Sequence, residues 1–368
     1  NQKGWDLLGL TLDIDGVRTN PDGSPNGRLQ DRANKLASGE FFRRWPKKQK
    51  QQAVHTTIQL ALSKGITSIG ASEGLDSSDE DVYLIHEMLP SLPLDFTTHW
   101  NTDSIDKPIS LGYKVWGSDI LLDGSIGSRT AAFFDKYDDA DTCGALNYTD
   151  QQVFDILDET LRHDMIVSFH CIGEKAIVQA LDQIEEVLKK YPDKKDTHQL
   201  RLEHFGWPSQ QDIDRCARLN IMISTQPAFT YLRGGPDSVY RQRLGEAREK
   251  RGYPFRRFLD AGIIVGGGSD SDVTPMDALL GIHAAVHQPY PENSVTPYEA
   301  VRMFTSHASM CGYEYNKKGT LEIGKQGDFV MLNDDPLTCN SDKIKDIEVM
   351  MTVHKGVIVY PNDDFSSK

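Results

Sequence analysis

Short apolar strands recur seven times along this chain, and helical stretches precede six of them; no other feature restricts the fold so tightly. The strands read as Ile66–Gly70, Leu94–His99, Asp119–Leu122, Met165–His170, Leu200–His204, Ile221–Thr225 and Ile263–Gly268. The helices read as Trp45–Lys64, Asp79–Leu89, Thr149–His163, Lys175–Tyr191, Ser209–Leu219 and Tyr253–Ala261. Strands that alternate with helices imply β/α units and a parallel sheet, because only a crossover element returns the chain to start a parallel neighbour. A closed barrel of such units needs eight strands. The seven found here leave one strand missing from the expected (β/α)8 TIM-like barrel.

Two stretches depart from the pattern. Residues 15–28, DGVRTNPDGSPNGR, are punctuated by Gly and Pro and read as an irregular loop. After a last helix over Pro297–Met310, short strands are expected at Gly319–Gly324, Asp328–Leu332, Met350–His354 and Val357–Tyr360. We therefore expect a barrel over 1–312 and a small β appendage over 313–368.

Composition narrows the partners. The 368 residues carry 40 Lys and Arg against 54 Asp and Glu, a net charge of -14 that would repel a phosphate backbone, so nucleic acid is not an expected partner. Mean hydropathy is -0.47, and no apolar run approaches the roughly 18 residues of a membrane span. The five cysteines are odd in number, scattered and never arranged as CxxC. That pattern speaks against a disulfide framework and a cysteine zinc site, and for reduced thiols in a cytoplasmic setting. Residues 1–10 show neither a basic stretch nor an apolar core of a secretory signal.

Three polar residues stand where an apolar strand runs out: His170, His204 and Asp270. In an α/β barrel such strand ends converge on one face, where active sites form. Two imidazoles and a carboxylate meeting there would suit a divalent transition metal such as zinc. A second cluster runs from Asp119 to Ala131. Strand alternation places Asp119 and Asp123 on one face, with two readings open for Asp123: a carboxylate at the barrel mouth balanced by a metal or Arg129, or a cap on the turn at Gly124. His283 and His287 share a helix face, but Ala284 stands where a zinc protease has its Glu, so a metal role there is not expected.

The segments DGSIGSRTAA (123–132), FHCIGEKAI (169–177), RLEHF (201–205), QP (226–227), GSDSDVTP (268–275) and GTLEIGKQGDFVML (319–332) occur in an order and spacing that resemble amidohydrolase family 3, the group containing N-substituted formamide deformylase-like proteins. The resemblance implies a metal-dependent hydrolase barrel flanked by a β-sandwich, part of which the C-terminal strands would supply. It implies His170 and His204 as metal ligands, and Asp270 as ligand and general base, for one or two ions. It implies a pocket lined by Asp123, Ser125, Arg129 and Gln226, and a small amide-like substrate cleaved at a C–N bond that is not a peptide bond. A homodimer is left open.

Two departures from the family pattern bear on this reading. None of the eleven histidines forms the HxH pair that ends the family's first strand, and the simplest explanation is an N-terminal truncation. Where many relatives carry a metal-bridging lysine, this chain has Asp119, and the nearest lysine is Lys114. Asp119 is then either a direct ligand or a mark of a single-metal site. The rival reading is a catalytically inactive barrel or binding protein without a complete metal site.

Overall fold

The computed structural model describes residues 2–74, 79–102, 104–117 and 119–361. Its first strands, β1 (Val17–Thr19) and β2 (Pro25–Leu29), pair antiparallel, so the expected irregular loop is a hairpin. Its polar strands gave no apolar alternation to read. The turn holds it together instead: Asn20 N–H donates to Ser24 O at 2.8 Å, and Asp22 accepts from the Ser24 amide at 2.9 Å.

All seven strands read from the sequence are present: β3 (Ser68–Glu73), β4 (Asp95–Trp100), β5 (Ile120–Leu121), β6 (Ser168–Cys171), β7 (Arg201–His204), β8 (Met222–Thr225) and β9 (Val265–Gly267). They are parallel. β3 pairs with β4, and β5 to β9 form a five-stranded sheet in sequential order. A parallel bridge from Val115 to Ile166 extends the β5–β6 contact. Sequential parallel strands with helices between them make the wall of a TIM-like α/β barrel.

Alternation along the wall decides what faces where. Ile120, Phe169, Leu202, Ile223 and Val265 lie in one buried cluster with Leu157, Leu181 and Ile184 of the helices. Each such side chain contributes roughly 1.5–3 kcal/mol relative to exposure. The residues between them, among them Ser168, His170 and Glu203, belong to the opposite face, the barrel interior. Local signals fix the helices. Thr149 and Gln152 form a capping box on the helix Asp150–Arg162, and Ser209 and Asp212 form one on Gln210–Arg218. The helix expected over 297–310 is two, Pro297–Met303 and Ser306–Cys311, broken where Thr305 takes non-helical angles (φ -128, ψ -94).

β10 (Phe329–Leu332), β11 (Val349–His354) and β12 (Val357–Tyr360) form an antiparallel sheet docked on the helix Lys47–Ser63, where the Thr352 hydroxyl donates to Leu62 O at 2.7 Å. The strand expected at Gly319–Gly324 does not form. Both glycines sit at φ 98, Ile323 is fully exposed, and Thr320, Glu322 and Lys325 bond among themselves in a local turn. Among the described residues no helix is long and apolar enough to cross a membrane.

Candidate metal centre

Asp119, immediately before β5, His170 in β6 and His204 at the end of β7 meet inside the barrel wall, with one ligand atom from each within 4.8 Å of the others. His170 Nδ1 lies 3.1 Å and His204 Nε2 3.7 Å from Asp119 Oδ1, and the two rings stand edge to face at 4.4 Å. The remaining ring nitrogens are spoken for. His170 Nε2 is 3.2 Å from the Gly124 carbonyl, and His204 Nδ1 is 2.6 Å from Gln226 Oε1. Both partners are oxygen acceptors, so those nitrogens carry protons, and His170 Nδ1 and His204 Nε2 are the nitrogens that face Asp119, where a bound cation would take the place of a hydrogen-bonding proton.

The two histidines reach the centre differently. His170 arrives by ordinary alternation two residues after Ser168. His204 has the parity of Leu202, which faces the helices; left-handed backbone at His204 (φ 68) and Phe205 (φ 48) ends β7 and redirects its ring inward. Non-glycine residues pay a conformational penalty there, and such residues cluster at functional sites.

Charge in the cluster favours a cation. Burial works against ionisation of Asp119, but its hydrogen bonds to His170 and His204 prevail and hold the carboxyl well below its ordinary value. Burial would likewise depress the His204 ring, yet Asp119, with Glu203 and Asp270, raises it to about 9. The centre gathers protons where a metal ion would supply positive charge instead. Two imidazole nitrogens and a carboxylate are a donor set that a divalent transition metal accepts. Asp95, Asp328 and His354 are equally close together, but Lys318 and Lys355 lie 2.7 and 2.6 Å from Asp95, so that cluster is already neutralised by lysine.

The other expected site residues are placed as follows. Asp270 follows β9 at the mouth, solvent-accessible and with φ 50; partial desolvation raises its carboxyl, Asp119 adds to this, and His204 opposes it. Asp123 is fully buried and accepts from the amides of Ala132, Ile172 and Gly173 at 2.8, 3.0 and 2.7 Å. It staples the loop after β5 to the loop after β6, closer to the capping reading than to a pocket wall. Gly173 makes this approach possible, since a Cβ there would lie 2.3 Å from Ala132 O. Arg129 is not Asp123's counter-ion; it pairs with Asp139 at 2.7 Å. Ser125 is exposed and bonds within its own turn to Ser128 at 2.9 Å. Gln226 is buried, with its amide taken up by His204 and Glu203. Lys114 is exposed and has no place in the cluster. His283 bonds to Tyr231 at 3.1 Å, apart from the centre.

Sequence reading passed over Glu203, which accepts from Ser224 Oγ at 2.6 Å and Gln226 Nε2 at 2.9 Å and faces Arg201 at 3.4 Å. The signal was available: Arg201 and Glu203 are charged residues two apart on a wall strand, so both face the interior.

A histidine and aspartate cluster inside a barrel wall, next to the loops that follow its strands, lies where α/β barrels form their active sites. The sequence profile of the amidohydrolase family matches residues 11–360, and the chain belongs to that family. It is 31% identical to the protein YtcJ of Bacillus subtilis (strain 168) over 66% of this chain and 46% of that one. It is 24% identical to the N-substituted formamide deformylase of Arthrobacter pascens over 92% of this chain and 66% of that one. The chain thus spans about half to two thirds of the length of the curated relatives it matches. A solved structure of a metal-dependent hydrolase from Pyrococcus furiosus shares the fold, with a TM-score of 0.75 and 24% identity over 92% of this chain and 70% of that one.

Proposed function

We propose that the protein hydrolyses a non-peptide C–N bond of an amide or N-acyl compound at the Asp119, His170 and His204 centre. The observation that carries this is the convergence of the three side chains, with His170 Nδ1 and His204 Nε2 both facing Asp119. Zinc suits that nitrogen and oxygen set, held by Asp119, His170 Nδ1 and His204 Nε2. Bound there, such an ion supplies an acidified water and polarises a carbonyl.

The rest of the chemistry belongs to the chain. Asp270, in the loop after β9 of the same sheet and raised above the ordinary carboxylate range, takes a proton from the attacking water and returns it to the leaving nitrogen. Asp123 fixes the loops after β5 and β6, so that Gly124 O can hold His170. The deformylase relative supports an N-formyl or similar small acyl substrate.

The test is metal content of the full natural protein by elemental analysis, with His170→Ala and Asp270→Asn beside it, and amide hydrolysis assayed in parallel. Stoichiometric metal that His170→Ala abolishes, with activity lost in Asp270→Asn, is the expected outcome. A protein that retains no metal when purified from zinc-supplemented medium overturns the reading and returns the inactive barrel.

A further inference from the structure

We propose that Glu203 is a positioning residue for His204, acting through Gln226 to make the imidazole present Nε2, and not Nδ1, to the centre. The inference rests on the metal-centre reading above and adds a determinant to it.

A glutamine side chain is ambiguous by nature, because its carbonyl and amino ends are nearly the same shape and swap by a half-turn. If the Gln226 amino end faced His204, that ring would have to accept at Nδ1 and carry its proton on Nε2, and a protonated Nε2 cannot bind a cation. What forbids the half-turn is the partner on the other side. Gln226 Nε2 lies 2.9 Å from Glu203 Oε1, and a carboxylate offers no proton to a carbonyl. The amino end must therefore face Glu203, the carbonyl end accepts from His204 Nδ1 at 2.6 Å, and Nε2, 3.7 Å from Asp119, is the nitrogen left without a proton in the neutral ring.

Glu203 is itself held rigidly. Ser224 Oγ donates to the same Oε1 at 2.6 Å, and Arg201 stands 3.4 Å from Oε2. Arg201 is anchored on Cys311 O at 2.7 Å and lies 3.3 Å from His99 Nδ1. The chain Arg201, Glu203, Gln226, His204 runs through the barrel interior along β7 and β8, and every member but Glu203 is at least nine-tenths buried. Partners that fix the orientation of a metal-binding histidine typically change affinity 10- to 100-fold when removed.

The experiment compares wild type with Glu203→Gln and with the exchange variant Glu203→Gln/Gln226→Glu. The exchange keeps the charge and both hydrogen bonds while moving the carboxylate next to His204. Two readouts are taken: zinc affinity by chelator competition, and the proton position on His204 from 15N spectra of the metal-free protein, titrated until the ring is neutral. Wild type is expected to show the Nδ1–H form. Glu203→Gln should show a mixture of both forms and bind zinc 10- to 100-fold more weakly, and the exchange variant should restore both properties. An unchanged ring form and affinity in Glu203→Gln overturns the proposal. Should that variant not fold, the exchange variant decides: wild-type ring form and affinity uphold the proposal, and an Nε2–H ring refutes it. Absence of zinc binding in wild type would strike the metal-centre reading, whereas the ring spectra still judge Glu203.

Discussion

Asp123→Asn gives the sharpest check on how the loops around the centre are held. The carboxylate takes three backbone amides: Ala132 and Gly173 on Oδ2, and Ile172 on Oδ1. Asparagine has the same shape, and its one carbonyl oxygen can keep the Ala132 and Gly173 bonds. Its amino group then meets the Ile172 N–H donor to donor. One charge-assisted bond is lost, a buried amide is left unsatisfied, and the two surviving bonds become neutral ones. A hydrogen bond to a charged group contributes roughly 1.5–3 kcal/mol, and an orphaned buried donor costs roughly 1–3 kcal/mol, with the two effects overlapping. The expected loss is about 2–4 kcal/mol. Asp123→Ala, which orphans all three amides, should lose more. Urea unfolding followed by circular dichroism reads this as a lower midpoint at unchanged slope. A loss below about 0.5 kcal/mol in Asp123→Asn would refute the staple. If metal binding disappeared while stability held, Asp123 would belong to the centre itself.

Three further outcomes are expected. Glu73 projects into a mainly apolar crevice between the helices Lys47–Ser63 and Glu80–Met88, and burial, with Asp81 adding to it, raises its carboxyl from 4.5 to about 7. The folded state then binds the proton more tightly than the unfolded chain, so stability falls as pH rises from about 4.5 to about 7. Glu73→Gln should match wild type near pH 4 and exceed it at pH 8, and parallel urea midpoints across that range would contradict this. Lys318 is buried against Asp95 at 2.7 Å, Ser68 Oγ at 2.8 Å and Glu314 at 2.5 Å, so Lys318→Met should lose roughly 3 kcal/mol by leaving carboxylates uncompensated; an unchanged unfolding midpoint would show the cluster to be idle. Gly173→Ala places a methyl 2.3 Å from Ala132 O, and the displacement should destabilise by roughly 1–3 kcal/mol in the same assay, where no change would mean that the loop yields freely.

The wall of the fold was legible because each of its strands is an apolar run bounded by helix or turn signals, and burial on the helix side enforces that pattern. Elements stabilised by a handful of local polar bonds were not legible. The hairpin of β1 and β2 has no apolar face, and Gly319–Gly324 has strand-like residues but two left-handed glycines that turn the chain. The centre divides in the same way. His170 follows from alternation, because β6 stays regular through it. Asp119 and Asp123 were legible only as sharing a face, and their fates differ because β5 spans only Ile120–Leu121: the chain bends after Leu121, so Asp123 meets backbone amides while Asp119 meets imidazoles. His204 could be found as a strand end but not oriented, since its inward turn depends on two left-handed residues that no periodicity encodes. Alternation alone would place it with Leu202 against the helices and leave Glu203 as the inward group. The sequence RLEHF therefore serves two purposes: Glu203 reaches the interior as a strand residue, His204 reaches it by leaving the strand, and Gln226, 2.9 Å from Glu203 and 2.6 Å from His204, joins the two.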